Sequence, residues 1–141
     1  MSIRAFRDGL NLENLKILLD KTPFTAFLRP EVLKCEEGYA ELHVQLRPDL
    51  TQHHGYAHGA VIGCVADSAC AWAAGSVAGD VVTSEYKLHL LEPGVGDKLI
   101  GRGYVVKSFK NFVVARSEVF AARNDKERLI AIATATVAVV Q

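Results

Sequence analysis

The 141 residues suffice for one ordinary domain with a core of its own. Lys and Arg number 16, as do Asp and Glu, so no global field draws the chain to nucleic acid or to an anionic membrane, and an anionic ligand needs a local patch. Three cysteines, Cys35, Cys64 and Cys70, cannot all pair and form no C-x-x-C motif, which predicts reduced thiols in the cytoplasm rather than a disulfide framework.

Met1 to Asn11 mixes polar and apolar residues without an apolar run, so no export signal is expected there. From Asn11 to Leu28, Leu12, Leu15, Leu18 and Leu19 recur at helical spacing and Pro23 interrupts, predicting a helix or helix pair. Residues 1–30 thus form an N-terminal helical segment and 31–141 the core of a single domain. Tyr39 to Leu46 alternates: Ala40, Leu42, Val44 and Leu46 share one face, with Glu41, His43 and Gln45 opposite, as in a half-buried strand. Pro48 ends it, and Asp49 to Ala57 is a polar, His-rich loop. A helix then runs from His58 or Gly59 to about Ala78, closed by Gly79. Its only charge is Asp67. It is long enough to cross a bilayer, but a central Asp costs roughly 3 kcal/mol there, and the small residues predict a buried helix in a protein without a membrane partner.

Sheet follows. Val81 to Leu91 alternates, which places Tyr86, Leu88 and Leu90 inward and Thr83, Glu85, Lys87 and His89 outward. Pro93-Gly94 is a turn, and strands are expected at Lys98–Lys107, Phe112–Arg123 and Leu129–Val140, with turns at Lys110-Asn111 and Asn124-Asp125. The last strand is apolar on both faces, as a central strand would be. One buried helix with five or six antiparallel strands predicts an α+β fold in which the sheet curls round the helix. The alanines and glycines of that helix keep it thin enough for close approach.

Chemistry concentrates in Gln52-His53-His54-Gly55-Tyr56-Ala57-His58-Gly59-Ala60 and the helix it opens. His58-Gly59 lies where a loop enters a helix, so free N–H groups and the helix dipole favour an oxyanion, and glycine lets a ligand approach the backbone. Asp67 sits mid-helix among small residues, where partial desolvation raises its pKa and strengthens it as base or nucleophile. Eight residues separate Gly59 from Asp67, about 12 Å along one helix. A reacting carbonyl needs its oxyanion donor and its attacking group within roughly 3 Å. Two antiparallel copies of the helix across a twofold axis would satisfy this, which predicts a homodimer or homotetramer with sites at the subunit interface.

This loop and helix resemble the phenylacetyl-CoA-thioesterase-like (PaaI-type) branch of the hotdog acyl-CoA thioesterases, whose pattern is Asn/Gln-x-x-Gly-x-x-His-Gly-Gly/Ala, a run of small apolar residues, then Asp. The resemblance spans about Val32 to the C-terminus. It implies a hotdog fold, acyl-CoA as substrate, and no cofactor or metal beyond the CoA that the substrate carries. It puts Asp67 on the catalytic carboxylate, Gly59 on the donor to the thioester carbonyl, His58 on the residue shaping that loop, Gln52 on the residue orienting the carbonyl or water, and Thr83 on a water-binding hydroxyl. Gly55, Ala60 and Ser68 fall on the substrate side of the motif, and Lys107, Ser108 and Lys110 beside the CoA groove. Two departures stand out: Ala60 replaces a commoner glycine, and Phe109 stands where many members carry glycine.

Other readings compete. His53, His54 and His58 suggest a metal, but no Cys or carboxylate lies at ligand spacing. Cys64 lacks a nearby base and reads as packing. On the same fold, a His58–Asp67 pair would suit enoyl-CoA hydration or dehydration, and a non-catalytic acyl-CoA sensor would bind without turnover.

Overall fold

The computed structural model describes residues 8–140; the expectation about an export signal falls largely on residues 1–7, which lie outside the described residues. Helix α1 (Leu12–Asp20) begins at a reciprocal cap. The Asn11 side chain accepts from the Asn14 N–H at 2.9 Å and Asn14 Oδ1 accepts from the Asn11 N–H at 2.8 Å, satisfying two N–H groups that a helix start leaves free. Helix α2 (Pro23–Leu28) starts on Pro23, whose fixed φ suits a first turn. Arg47 secures its end by donating to the carbonyls of Phe27 and Leu28 at 2.6 and 3.2 Å.

Six strands follow: β1 (Glu31–Glu36), β2 (Tyr39–Gln45), β3 (Val81–Leu90), β4 (Lys98–Ser108), β5 (Phe112–Arg123) and β6 (Lys126–Val139). They form one antiparallel sheet in the order β1-β2-β4-β5-β6-β3. The long helix α3 (Gly59–Ala78) lies against its inner face, which is the hotdog arrangement. By length and composition α3 could cross a membrane, but most of its apolar stretch is buried in the fold. Close approach needs small residues on both partners. Ala66, Ala69 and Ala73 are fully buried, and a Cβ on Gly103 of β4 would stand 2.0 Å from the Ala69 carbonyl oxygen, so no other residue fits there.

Three features differ from the expected pattern. Strand β6 starts at Lys126 rather than Leu129, because Asn124 and Asp125 both take positive φ (50° and 62°) in a two-residue turn that lets pairing run up to Arg123 and Lys126. Strand β6 does lie inside the sheet, between β5 and β3, but its outer face is not apolar: Thr134 and Thr136 stand there, and Ile132 is exposed. Ile130 and Ala131 are both buried because the register slips there, with Val119 opposite Ala131 and Phe120 opposite Leu129.

The third difference matters most for the site. Thr83 pairs with Val137, and Glu85 already pairs with Thr136, so Ser84 is an extra residue in β3. Its hydroxyl donates to the Thr136 carbonyl at 3.1 Å. Strict alternation places Thr83 opposite Tyr86; the bulge puts both on the inner face, with Leu88 and Leu90. That face is nonetheless open, with Tyr86 43% and Leu90 56% exposed. Strand β3 is an edge strand, and among the described residues nothing pairs with its outer side.

Candidate active site

The loop before α3 is a small hairpin. Gln52 N–H donates to the Tyr56 carbonyl at 2.9 Å, and Gly55, at φ 82°, turns the chain and donates to the Gln52 carbonyl at 2.9 Å. Bonds from His58 N–H to the Leu50 carbonyl and from Ala57 N–H to the Gly94 carbonyl, both 2.9 Å, tie the hairpin to the rest of the fold. His53, His54 and Tyr56 are exposed, their rings in contact with one another. The Gln52 side chain accepts from the His54 N–H.

His58 is the N-cap of α3, and its Nδ1 accepts from the Ala60 N–H at 3.0 Å. The Val61 and Ile62 N–H groups reach the His58 carbonyl. The Gly59 N–H keeps no acceptor among the described residues, so one free donor remains at the positive end of a 20-residue helix. Gly59 borders a cleft of about 380 Å³ with Gln52, Tyr56, Ile62, Leu90 and Pro93. Across the helix start, Ala60, His58 and Val61 line a second hollow of about 220 Å³ with Phe24 and Phe27.

Asp67 lies two turns further along α3 and is half-buried. Burial raises its carboxyl above the ordinary carboxylate range, and a hydrogen bond from Thr83, whose Oγ1 donates to Oδ1 at 2.7 Å, opposes part of that rise. A partly desolvated carboxylate, oriented by a hydroxyl, is equipped to take a proton or to attack. Ser68 lies beside it, its Oγ 4.0 Å from Cys64 Sγ. Burial pushes the Cys64 thiol up and the Cys70 thiol to about 11, so neither is an activated nucleophile.

The expected site residues thus do not form a single cluster within one chain. Gln52 and Gly59 share the cleft, with His58 capping the helix beside them; Asp67 and Thr83 meet two turns away. Gly55 shapes the hairpin and lies outside the cleft lining, and Ala60 faces the second hollow. Lys107, Ser108 and Lys110 are exposed around the β4–β5 turn. Ser108 is level with Thr83 through Val113 and Val137, but three strands away, roughly 14 Å. Sequence reasoning counted Gly63 only among the small neighbours of Asp67, and it put Tyr86 inward without a role. Gly63 was readable, four residues from both Gly59 and Asp67. Tyr86 was readable as an inward residue by its alternation with Leu88 and Leu90, but its contact with Gly63 was not, because that depends on how β3 lies along α3.

A family described as the thioesterase superfamily matches residues 54–127, just over half of the chain. Among solved structures, a thioesterase family protein from Silicibacter pomeroyi is similar at a TM-score of 0.85 and 32% identity, over 89% of this chain and 95% of that one. The E. coli PaaI protein from the phenylacetic acid degradation operon is similar at 0.82 and 22% identity, over 92% of each chain. A thioesterase from Haemophilus influenzae follows at 0.81 and 19% identity, over 96% of this chain and 94% of that one; these two bear on the fold alone. No curated protein sequence matches the chain.

Proposed function

The chain belongs to the thioesterase superfamily and is a thioester hydrolase, and on that premise we propose that it hydrolyses small or medium acyl-CoAs, aromatic ones among them, in the manner of the PaaI-type branch. One observation carries this reading: a free Gly59 N–H and the burial-strengthened Asp67 lie on one open face of α3. Asp67 takes a proton from water as the water oxygen attacks the thioester carbon. The Gly59 N–H holds the carbonyl oxygen as it becomes an oxyanion, Gln52 orients it, and Thr83 holds Asp67 in place. Collapse breaks the C–S bond, and the proton passes to the departing thiolate, giving carboxylic acid and free CoA. Ser68 and Ala60 border the acyl path, and the exposed Lys107, Ser108 and Lys110 supply contacts to the CoA phosphates. No cofactor enters.

Each site joins Asp67 of one subunit to Gly59 and Gln52 of its partner, in a cytoplasmic homodimer or homotetramer. Two features support the assembly. Along α3, Ala60, Cys64, Asp67, Ser68 and Ala71 are exposed or half-buried at helical spacing, a small-residue surface on which a second α3 can lie. Beside it the unpaired edge of β3 and its open inner face present backbone and apolar groups that a partner would cover.

Hydration or dehydration fits less well, because His58 Nδ1 is engaged in capping α3 and no bond joins His58 to Asp67. The test is free-thiol release across short, medium, long and aromatic acyl-CoAs, run beside the ultraviolet absorbance of an enoyl-CoA. Thiol release is expected, with kcat/KM for the best substrate of at least about 10⁴ M⁻¹s⁻¹. Binding without release would identify a sensor instead, and loss of enoyl absorbance a hydratase.

A further inference from the structure

Gly59, Gly63 and Asp67 follow one another at four-residue steps, so they share one face of α3, and β3 runs along that face. Thr83 meets Asp67, Tyr86 and Leu88 meet Gly63, and Leu90 meets Gly59. A Cβ on Gly63 would stand 3.0 Å from the Tyr86 hydroxyl oxygen. The phenol tip therefore rests on the bare backbone of Gly63, about one turn from both Gly59 and Asp67. Side chains on a helix lean toward its N-terminus, so the Asp67 carboxylate reaches back over the same turn. Both polar groups lie along the helix face that Gly63 leaves without a side chain. Neither is used up: the Tyr86 hydroxyl has no partner among the described residues, and the Asp67 bond from Thr83 falls on Oδ1. Tyr86 is 43% exposed on an edge strand, yet its hydroxyl sits on the helix.

We propose that the Tyr86 hydroxyl is a further catalytic group that fixes the attacking water over Gly63, an inference that rests on the reading of Asp67 as general base. The water donates one hydrogen to Asp67 Oδ2, which removes it as the C–O bond forms. It donates the other to Tyr86 Oη, which keeps it aimed without taking a proton. Both lone pairs of the water then stay free, one of them pointed at the thioester carbon. Gly63 is the seat of that water, and any side chain there pushes the phenol aside.

Three variants test this in steady-state thiol release, with melting temperature and subunit mass measured alongside. Tyr86→Phe keeps the ring over the helix and loses only the oxygen; kcat is expected to fall about tenfold with KM within about twofold, since the contact is made to the water and not to the bound acyl group. Gly63→Ala puts a methyl against the hydroxyl in a helix interior that favours alanine, so kcat falls to a similar extent while the melting temperature holds or rises. The double variant loses no more than either single one, because both changes remove the same water contact. Tyr86→Phe with wild-type kcat, or losses that multiply in the double variant, would overturn the role of Tyr86. Asp67→Asn separates the two layers: an inactive Asp67→Asn beside a fully active Tyr86→Phe removes Tyr86 alone, whereas an active Asp67→Asn removes the general base and the water site with it.

Discussion

Asp67→Asn is expected to lower kcat for thiol release by at least about 10²-fold while leaving the fold and subunit mass unchanged. Asparagine has the same shape, and its Oδ1 can accept the Thr83 hydroxyl as the carboxylate does at 2.7 Å. What it lacks is the basic oxygen. The variant should also be no less stable at neutral pH. Burial raises the folded-state pKa of Asp67 above its unfolded value, so its stabilising share is present only at acid pH and is lost as pH rises through the folded pKa. Above that point the ionised side chain costs stability that asparagine does not. The same shift shapes the rate: wild-type kcat/KM should fall as pH drops through the raised pKa, and the residual rate of the variant should lack that limb. An Asn variant with near-normal thiol release would remove Asp67 from the chemistry.

Gly59→Val is expected to cost on the order of 10² in kcat, about 2.7 kcal/mol of transition-state stabilisation, with only a modest change in melting temperature. The fold has room for the change. A Cβ at Gly59 meets only Leu90 Cδ1, at 3.5 Å, an ordinary contact, and Gly59 is not among the residues with positive φ. The branched side chain instead fills the space beside the unpaired N–H, where the thioester oxygen must approach. Full activity in this variant would place the carbonyl elsewhere.

Much of this site was legible in the residues, and the reasons are local. Helix α3 announced itself through the small apolar run from Gly59 to Gly79 with one carboxylate inside it, and the His58-Gly59 entry marked its free N–H end. Strands β2 and β5 followed from alternation and turn residues. What stayed hidden depends on partners distant in sequence. The bulge at Ser84, which turns Thr83 toward Asp67, arises from register against β6 and leaves no mark in the pattern of β3. Glu41 looked like a solvent-facing charge, but Arg102 gathers it at 2.6 Å while holding Glu127 at 2.7 and 2.8 Å, joining three strands on the outer face. The cleft beside Gly59 was unreadable for the same reason, since Leu90 and Pro93 reach it only once β3 lies along α3.

The central claim is that each site joins Asp67 of one subunit to Gly59 of its partner, and co-refolding the two inactive variants tests it most directly. In a mixed dimer of Asp67→Asn and Gly59→Val chains, one of the two sites combines an intact Asp67 with an intact Gly59, and the other carries both lesions. Random mixing makes about half of the dimers mixed and half of their sites whole, so the mixture should recover about a quarter of wild-type thiol release while each variant refolded alone stays inactive. A site built within one subunit predicts no recovery, because every chain carries a lesion. No recovery, with mixed dimers verified by mass, would contradict the shared site.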